Sequence, residues 1–137
     1  AWDIYPANRK RVAEALETAQ VGHPIILSGD VHSFWAVDGR LVKEASERIP
    51  VVEFVASSIS ANWPEQLAKP VTDNLPHNPQ VQFYEPEKRG YVLHDVSGSE
   101  WKTTFRAMED VRDEQSPATN LASFLVRKGE PGFTQLD

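Results

Sequence analysis

Pro24-Ile25-Ile26-Leu27-Ser28-Gly29-Asp30-Val31-His32 joins an apolar run of strand length to a glycine, a carboxylate and an imidazole. Ile25–Ser28 is too short and too uniformly apolar for a helix, and it predicts a strand buried on both faces. The run stops at Gly29, and a carboxylate and an imidazole follow one residue apart. Side chains alternate across extended backbone, so Asp30 and His32 are expected to face one point while Val31 faces the packing side. A hard oxygen donor beside a nitrogen donor, at the end of a buried strand, suits a metal site. Sites in α/β sheets gather at the carboxyl ends of strands. Other readings of the same residues stay open at this point. Gly29 can serve a turn, Asp30 can bond its own backbone, and His32 can be a satisfied, half-buried histidine.

Upstream, Pro6 suits a first helical turn, and Val12, Leu16 and Ala19 recur at helical spacing within Pro6–Gln20, with Gly22 and Pro24 ending the helix. Helix then strand is the second half of a βαβ unit. Downstream, Phe34–Val37 predicts a strand that reaches a tight turn at Asp38-Gly39. Val51–Val55 predicts the next strand. Ser57–Pro79, with Pro64, Pro70, Pro76 and Pro79, predicts a long irregular loop. Val81–Glu85, Tyr91–Val96 and Trp101–Met108 predict an antiparallel meander, and Leu121–Arg127 a final strand before a turn at Lys128–Gly132. In Trp101–Met108, Trp101, Thr103, Phe105 and Ala107 share one face, and Lys102, Thr104 and Arg106 the other. The expected class is α/β shading into α+β, largely antiparallel after residue 33. One helix and one buried strand followed only by β structure leave a sheet short of cover, so a missing segment before Ala1 is expected.

The 137 residues, 40% hydrophobic and 25% charged, fit one globular domain. A net charge of −6 argues against nucleic acid as a partner, because no basic stripe is available for phosphates. Arg9-Lys10-Arg11, Lys88-Arg89 and Arg127-Lys128 are short, scattered, and read as solvated surface. The absence of cysteine removes disulfides, thiolate ligands and thiol nucleophiles. No apolar stretch reaches the roughly 18–20 residues that span a bilayer. No Gly-x-Ser-x-Gly elbow surrounds Ser57, Ser58 or Ser60, and no phosphate-cradling loop of Walker or dinucleotide type is present. Of the other histidines, His23 lies seven positions before Asp30, on the order of 20 Å along a strand, at the wrong end to share its site. His94 sits inside a strand and reads as a packed or surface residue. His77 lies in the proline-rich loop with nothing to fix it.

The order of motifs carries more than any one of them. Trp2-Asp3-Ile4-Tyr5-Pro6 with Arg9, Leu27–His32, Glu53–Ser60, Asn78–Tyr84, Arg89-Gly90-Tyr91-Val92, Trp101-Lys102 and Thr119–Phe124 together resemble the PhoD-type alkaline phosphatases. The resemblance implies a metal-dependent phosphoesterase with a calcineurin-like fold, two β-sheets sandwiched by helices, of which residues 1–137 form the C-terminal half of one domain. It implies Asp30 and His32 as metal ligands, calcium and iron as the metals (zinc or manganese as substitutes), phosphate esters as substrates, and secretion to the periplasm or beyond. The other ligands would lie in an N-terminal half absent here, leaving this chain inactive alone. Ile4 stands where the family usually has glycine, and Gln80 where it often has histidine. Trp2, Asp3 and Tyr5 receive no catalytic role. The alternative is a noncatalytic β-rich binding domain in which the Asp/His pair is residual.

Overall fold

A computed structural model describes residues 4–44 and 47–137, with side chains described for all of these except residues 42–44, 47, 48 and 65. Trp2 and Asp3 lie outside the described residues. The elements in chain order are α1 (Pro6–Thr18), β1 (Ile25–Ser28), β2 (Phe34–Glu44), β3 (Glu47–Val55), α2 (Glu65–Asn74), a 3-10 turn (Leu75–His77), β4 (Val81–Glu85), β5 (Gly90–Val96), β6 (Glu100–Met108), β7 (Ala118–Arg127) and β8 (Thr134–Leu136). They build two four-stranded sheets, ordered β1-β3-β2-β4 and β5-β6-β7-β8. In the first, β1 runs parallel to β3 while β2 is antiparallel to both β3 and β4; the second is wholly antiparallel. The class is α+β, a partial β-sandwich with few helices, as the sequence leads one to expect.

Every phenylalanine in the chain goes into the space between the sheets. Phe34, Phe54, Phe105 and Phe124 are fully or almost fully buried, with Phe83 and Phe133 packed against them. Phe105 meets Phe34 at 5.1 Å and Phe124 at 5.2 Å between ring centroids. Strand alternation delivers these rings: along β6, Thr103, Phe105 and Ala107 are buried and the residues between them are not. A smaller cluster on the outer side of the first sheet joins Ala13 and Leu16 of α1 to Leu41, Val51, Ile26 and Ile49. The packed side of α1 is thus Ala13 and Leu16, with Val12 left 36% exposed. Gln20, in left-handed backbone (φ 52°), closes the helix end ahead of Gly22.

Tertiary context overrides several local readings. Asp38-Gly39 makes no turn: β2 is a central strand pinned on both sides, and Gly39 pairs with Val51 inside the ladder. The proline-rich stretch contains α2, whose interior holds Pro70. Leu67, Val71 and Leu75 recur every four residues along it, a helical spacing that the prolines obscure. The three runs from Val81 are not one meander, because β4 pairs with β2 and the segment 86–89 crosses to the other sheet, where β5 begins. β7 is not the last strand, since β8 pairs with it. β1 is a half-exposed edge strand rather than one buried on both faces, with Leu27 50% exposed.

Candidate metal-binding loop

β1, β3 and β4 run in the same direction, so their carboxyl ends lie at one end of the first sheet, where β2 begins. Three connections gather there: Gly29–Ser33, Ala56–Trp63 and Pro86–Arg89. They are tied together. The Ala56 amide donates to the Ser28 carbonyl (2.9 Å), Ser57 Oγ to the Lys88 carbonyl (2.9 Å) and the Gly90 amide to the Ser58 carbonyl (3.2 Å). Glu85 Oε1 accepts from the amides of Glu87 (2.6 Å) and Lys88 (3.2 Å), which shapes the third connection. Ser57 and Ser58 are spent on this scaffolding, as a strand-end turn requires; the Ser58 hydroxyl donates to the Ala61 carbonyl.

Asp30 and His32 sit together in the first connection, but not on extended backbone. Both take left-handed conformations, with φ of 75° and 55°. The alternation argument for a shared facing therefore does not apply; a tight loop, not a strand, brings the two residues together. Left-handed backbone costs a non-glycine residue about 1–2 kcal/mol, and such strain gathers at functional sites. Gly29, the one residue that would bear it freely, has no positive φ, and a Cβ there would meet only the Ala56 carbonyl oxygen at 3.8 Å.

His32 Nδ1 lies 3.2 Å from the Asn62 carbonyl oxygen. A carbonyl only accepts, so Nδ1 carries the proton, and in the neutral ring Nε2 presents its lone pair. Metal-bound histidines are oriented in this way by a backbone carbonyl behind the ring. Among the described residues Asp30 has no hydrogen-bond partner, and its carboxylate is exposed. An available carboxylate and an oriented imidazole fit a metal's needs, yet two donors do not complete a site. Among the described residues no group of three or more His, Asp or Glu side chains could hold an ion.

Around this loop the side chains are aromatic and tightly arranged. The buried Ser33 hydroxyl accepts from Trp35 Nε1 (2.7 Å) and donates to the Val31 carbonyl (3.2 Å). Trp35 packs on Tyr84 at 4.3 Å between centroids. Burial, with the Glu85 carboxylate adding to it, pushes the Tyr84 phenol above its ordinary pKa. A groove of about 450 Å³ separates Trp35 and Trp63 from the apolar face of α2. A second groove, of about 510 Å³, lies at the other end of β1 against His23, Ile25 and Trp101, and so belongs to a different part of the fold from Asp30.

The remaining sequence candidates separate cleanly. His23 precedes β1 and cannot join Asp30, and His77 is exposed at the end of the 3-10 turn. His94 is half-buried on β5, where Trp101 Nε1 donates to its Nδ1 (3.2 Å) and Thr103 Oγ1 lies at 3.0 Å. Desolvation lowers its pKa, which keeps the ring neutral. Arg89 is the residue that sequence reasoning missed. It is not solvated surface but 6% exposed, and its Nη2 donates to Asn62 Oδ1 at 3.1 Å. Its sequence signals are its membership of the Arg89–Val92 motif and its place directly before Gly90, where β5 approaches β6 so closely that a Cβ would lie 1.9 Å from the Arg106 carbonyl oxygen.

The fold is an α+β partial sandwich with an Asp/His loop at the strand ends of its first sheet, and comparison with known proteins places it in a family. The family model for PhoD-like phosphatases matches residues 1–105. The chain belongs to that family. Alkaline phosphatase D of Bacillus subtilis (strain 168) is 32% identical over 138 residues, which is 99% of this chain and 24% of that protein. A solved structure of PhoD superposes with a TM-score of 0.80 at 29% identity, covering 100% of this chain and 26% of its own. The chain thus spans about a quarter of the length of these relatives. Among the described residues no helix is long and apolar enough to cross a membrane.

Proposed function

We propose that this chain forms the C-terminal portion of a single metallophosphatase domain and supplies Asp30 and His32 to its metal centre. One observation carries the reading. The two residues are the strained, non-glycine positions of a loop at the carboxyl ends of β1 and β3, and the His32 ring is already oriented with Nε2 available. Asp30 would ligate through its carboxylate and His32 through Nε2, with the Asn62 carbonyl holding the ring in place. When bound, such metals supply Lewis acidity toward a phosphoryl oxygen and a hydroxide nucleophile near neutral pH. Calcium with iron is the pairing that the family resemblance favours, zinc or manganese being possible substitutes. The substrates are phosphate monoesters and diesters, and the protein is secreted or periplasmic.

The further ligands come from the rest of the polypeptide. β1 supports this, since among the described residues no strand pairs with its outer edge, and Leu27 and Val31 stand exposed beside it. The isolated chain is therefore catalytically inert. The test places this chain in the full-length curated relative, replacing the segment it matches. Phosphatase activity should survive the exchange, and Asp30→Ala and His32→Ala should each remove it and lower metal occupancy without changing the circular dichroism. Unchanged occupancy in both variants would favour the noncatalytic reading. Turnover by the isolated chain that Asp30→Asn abolishes would contradict its predicted inertness.

A further inference from the structure

We infer that Arg89 is a positioning residue for His32, acting through Asn62. Arg89 is buried, and among the described residues its guanidinium meets no carboxylate. Nη1 instead donates to the carbonyls of Pro86 (3.2 Å), Glu87 (2.9 Å) and Lys88 (3.1 Å), while Nε is buried without a hydrogen-bond partner. Burying a cation without a counter-ion is costly, and the remaining donor group, Nη2, shows what the burial accomplishes. It holds Asn62 Oδ1 at 3.1 Å. A guanidinium only donates, so the Asn62 amide must turn its oxygen toward Arg89. The base of Arg89 is itself fixed to the second sheet, because its carbonyl accepts from the Met108 amide at 2.8 Å. Asn62 is thereby anchored to the body of the sandwich, and its own carbonyl faces His32 Nδ1 at 3.2 Å.

An unrestrained imidazole samples both neutral tautomers. The chain Arg89–Asn62–His32 selects the one that protonates Nδ1, leaving Nε2 as the electron-pair donor. The selection is a property of the protein alone, and only its use for a metal rests on the function proposed above. Long-range proton–nitrogen correlation spectra of the 137-residue chain at pH 8 read the tautomer directly, with His32→Ala assigning the signal. The Nδ1-protonated form should dominate. Arg89→Gln and Asn62→Leu should each shift the ratio toward the other tautomer by roughly tenfold, the size of one neutral hydrogen bond. Asn62→Asp, which still accepts from Arg89, should preserve it. Asp30→Ala should leave the tautomer unchanged whatever it does to metal binding, so the two proposals fail separately. If Arg89→Gln does not fold, Asn62→Leu at an exposed position carries the test. Predominant Nε2 protonation in the unaltered chain, or an unmoved ratio in folded Asn62→Leu, would overturn the inference.

Discussion

The phenylalanine core and the Gly29–Ser33 loop obey opposite rules, although Phe34 of the core follows the loop without a break. In the core, strand alternation, burial and aromatic packing all favour the same arrangement, and none of the six rings needs an unusual backbone. In the loop, two ionisable residues adopt a backbone that suits glycine, and Val31 between them is left exposed. Local consistency marks what folding requires of a chain, and local conflict marks what function requires.

Substitutions should separate the two regions by both size and sign. Phe105→Ala removes a ring that touches Phe34, Phe54, Phe83 and Phe124, and should cost about 3–5 kcal/mol in urea unfolding. Gly90→Ala should cost about 3 kcal/mol, because its methyl group would meet main chain rather than a movable side chain. In the loop the sign reverses. Asp30→Gly should stabilise the chain by about 0.5–1 kcal/mol while removing the proposed metal donor, whereas a loss of stability would show that the loop is unstrained.

A pH titration probes the core from another side. The His94 pKa is lower folded than unfolded, so the unfolded chain binds the proton more readily. Stability that His94 permits in full above about pH 6.5 should be lost as the pH falls through its depressed folded value. His94→Gln should flatten that decline, and an unchanged pH profile in that variant would assign the decline to other groups. The smallest effect is expected at Gly29→Ala, within about 0.5 kcal/mol, since neither its φ nor its neighbours demand glycine.

What the sequence made legible follows the same division. Alternation along Trp101–Met108 puts Trp101, Thr103, Phe105 and Ala107 on one face, which the structure turns toward the core, and the helix from Pro6 is readable from its proline and spacing. For Asp30 and His32 the extended backbone expected from alternation does not form. Their nearness to a strand end was visible, but their left-handed backbone was not, because that conformation is imposed by the surrounding connections. Arg89 looked like surface charge because its partners are the carbonyls of its own crossover and the side chain of Asn62, distant in sequence. The crossover itself was hidden, since β4 and β5 have similar strand patterns and only tertiary pairing assigns them to different sheets.

The proposed function requires Asp30 and His32 to act together as metal ligands. Sub-stoichiometric Mn²⁺ added to the full-length relative in which this chain, isotopically labelled, replaces the matching segment, followed by paramagnetic broadening of its nuclear magnetic resonance signals, tests this most directly. Broadening should appear first at Asp30–His32, and both Asp30→Ala and His32→Ala should abolish it while leaving the rest of the spectrum intact. Broadening that begins elsewhere, or persists at this loop in both variants, would contradict the claim.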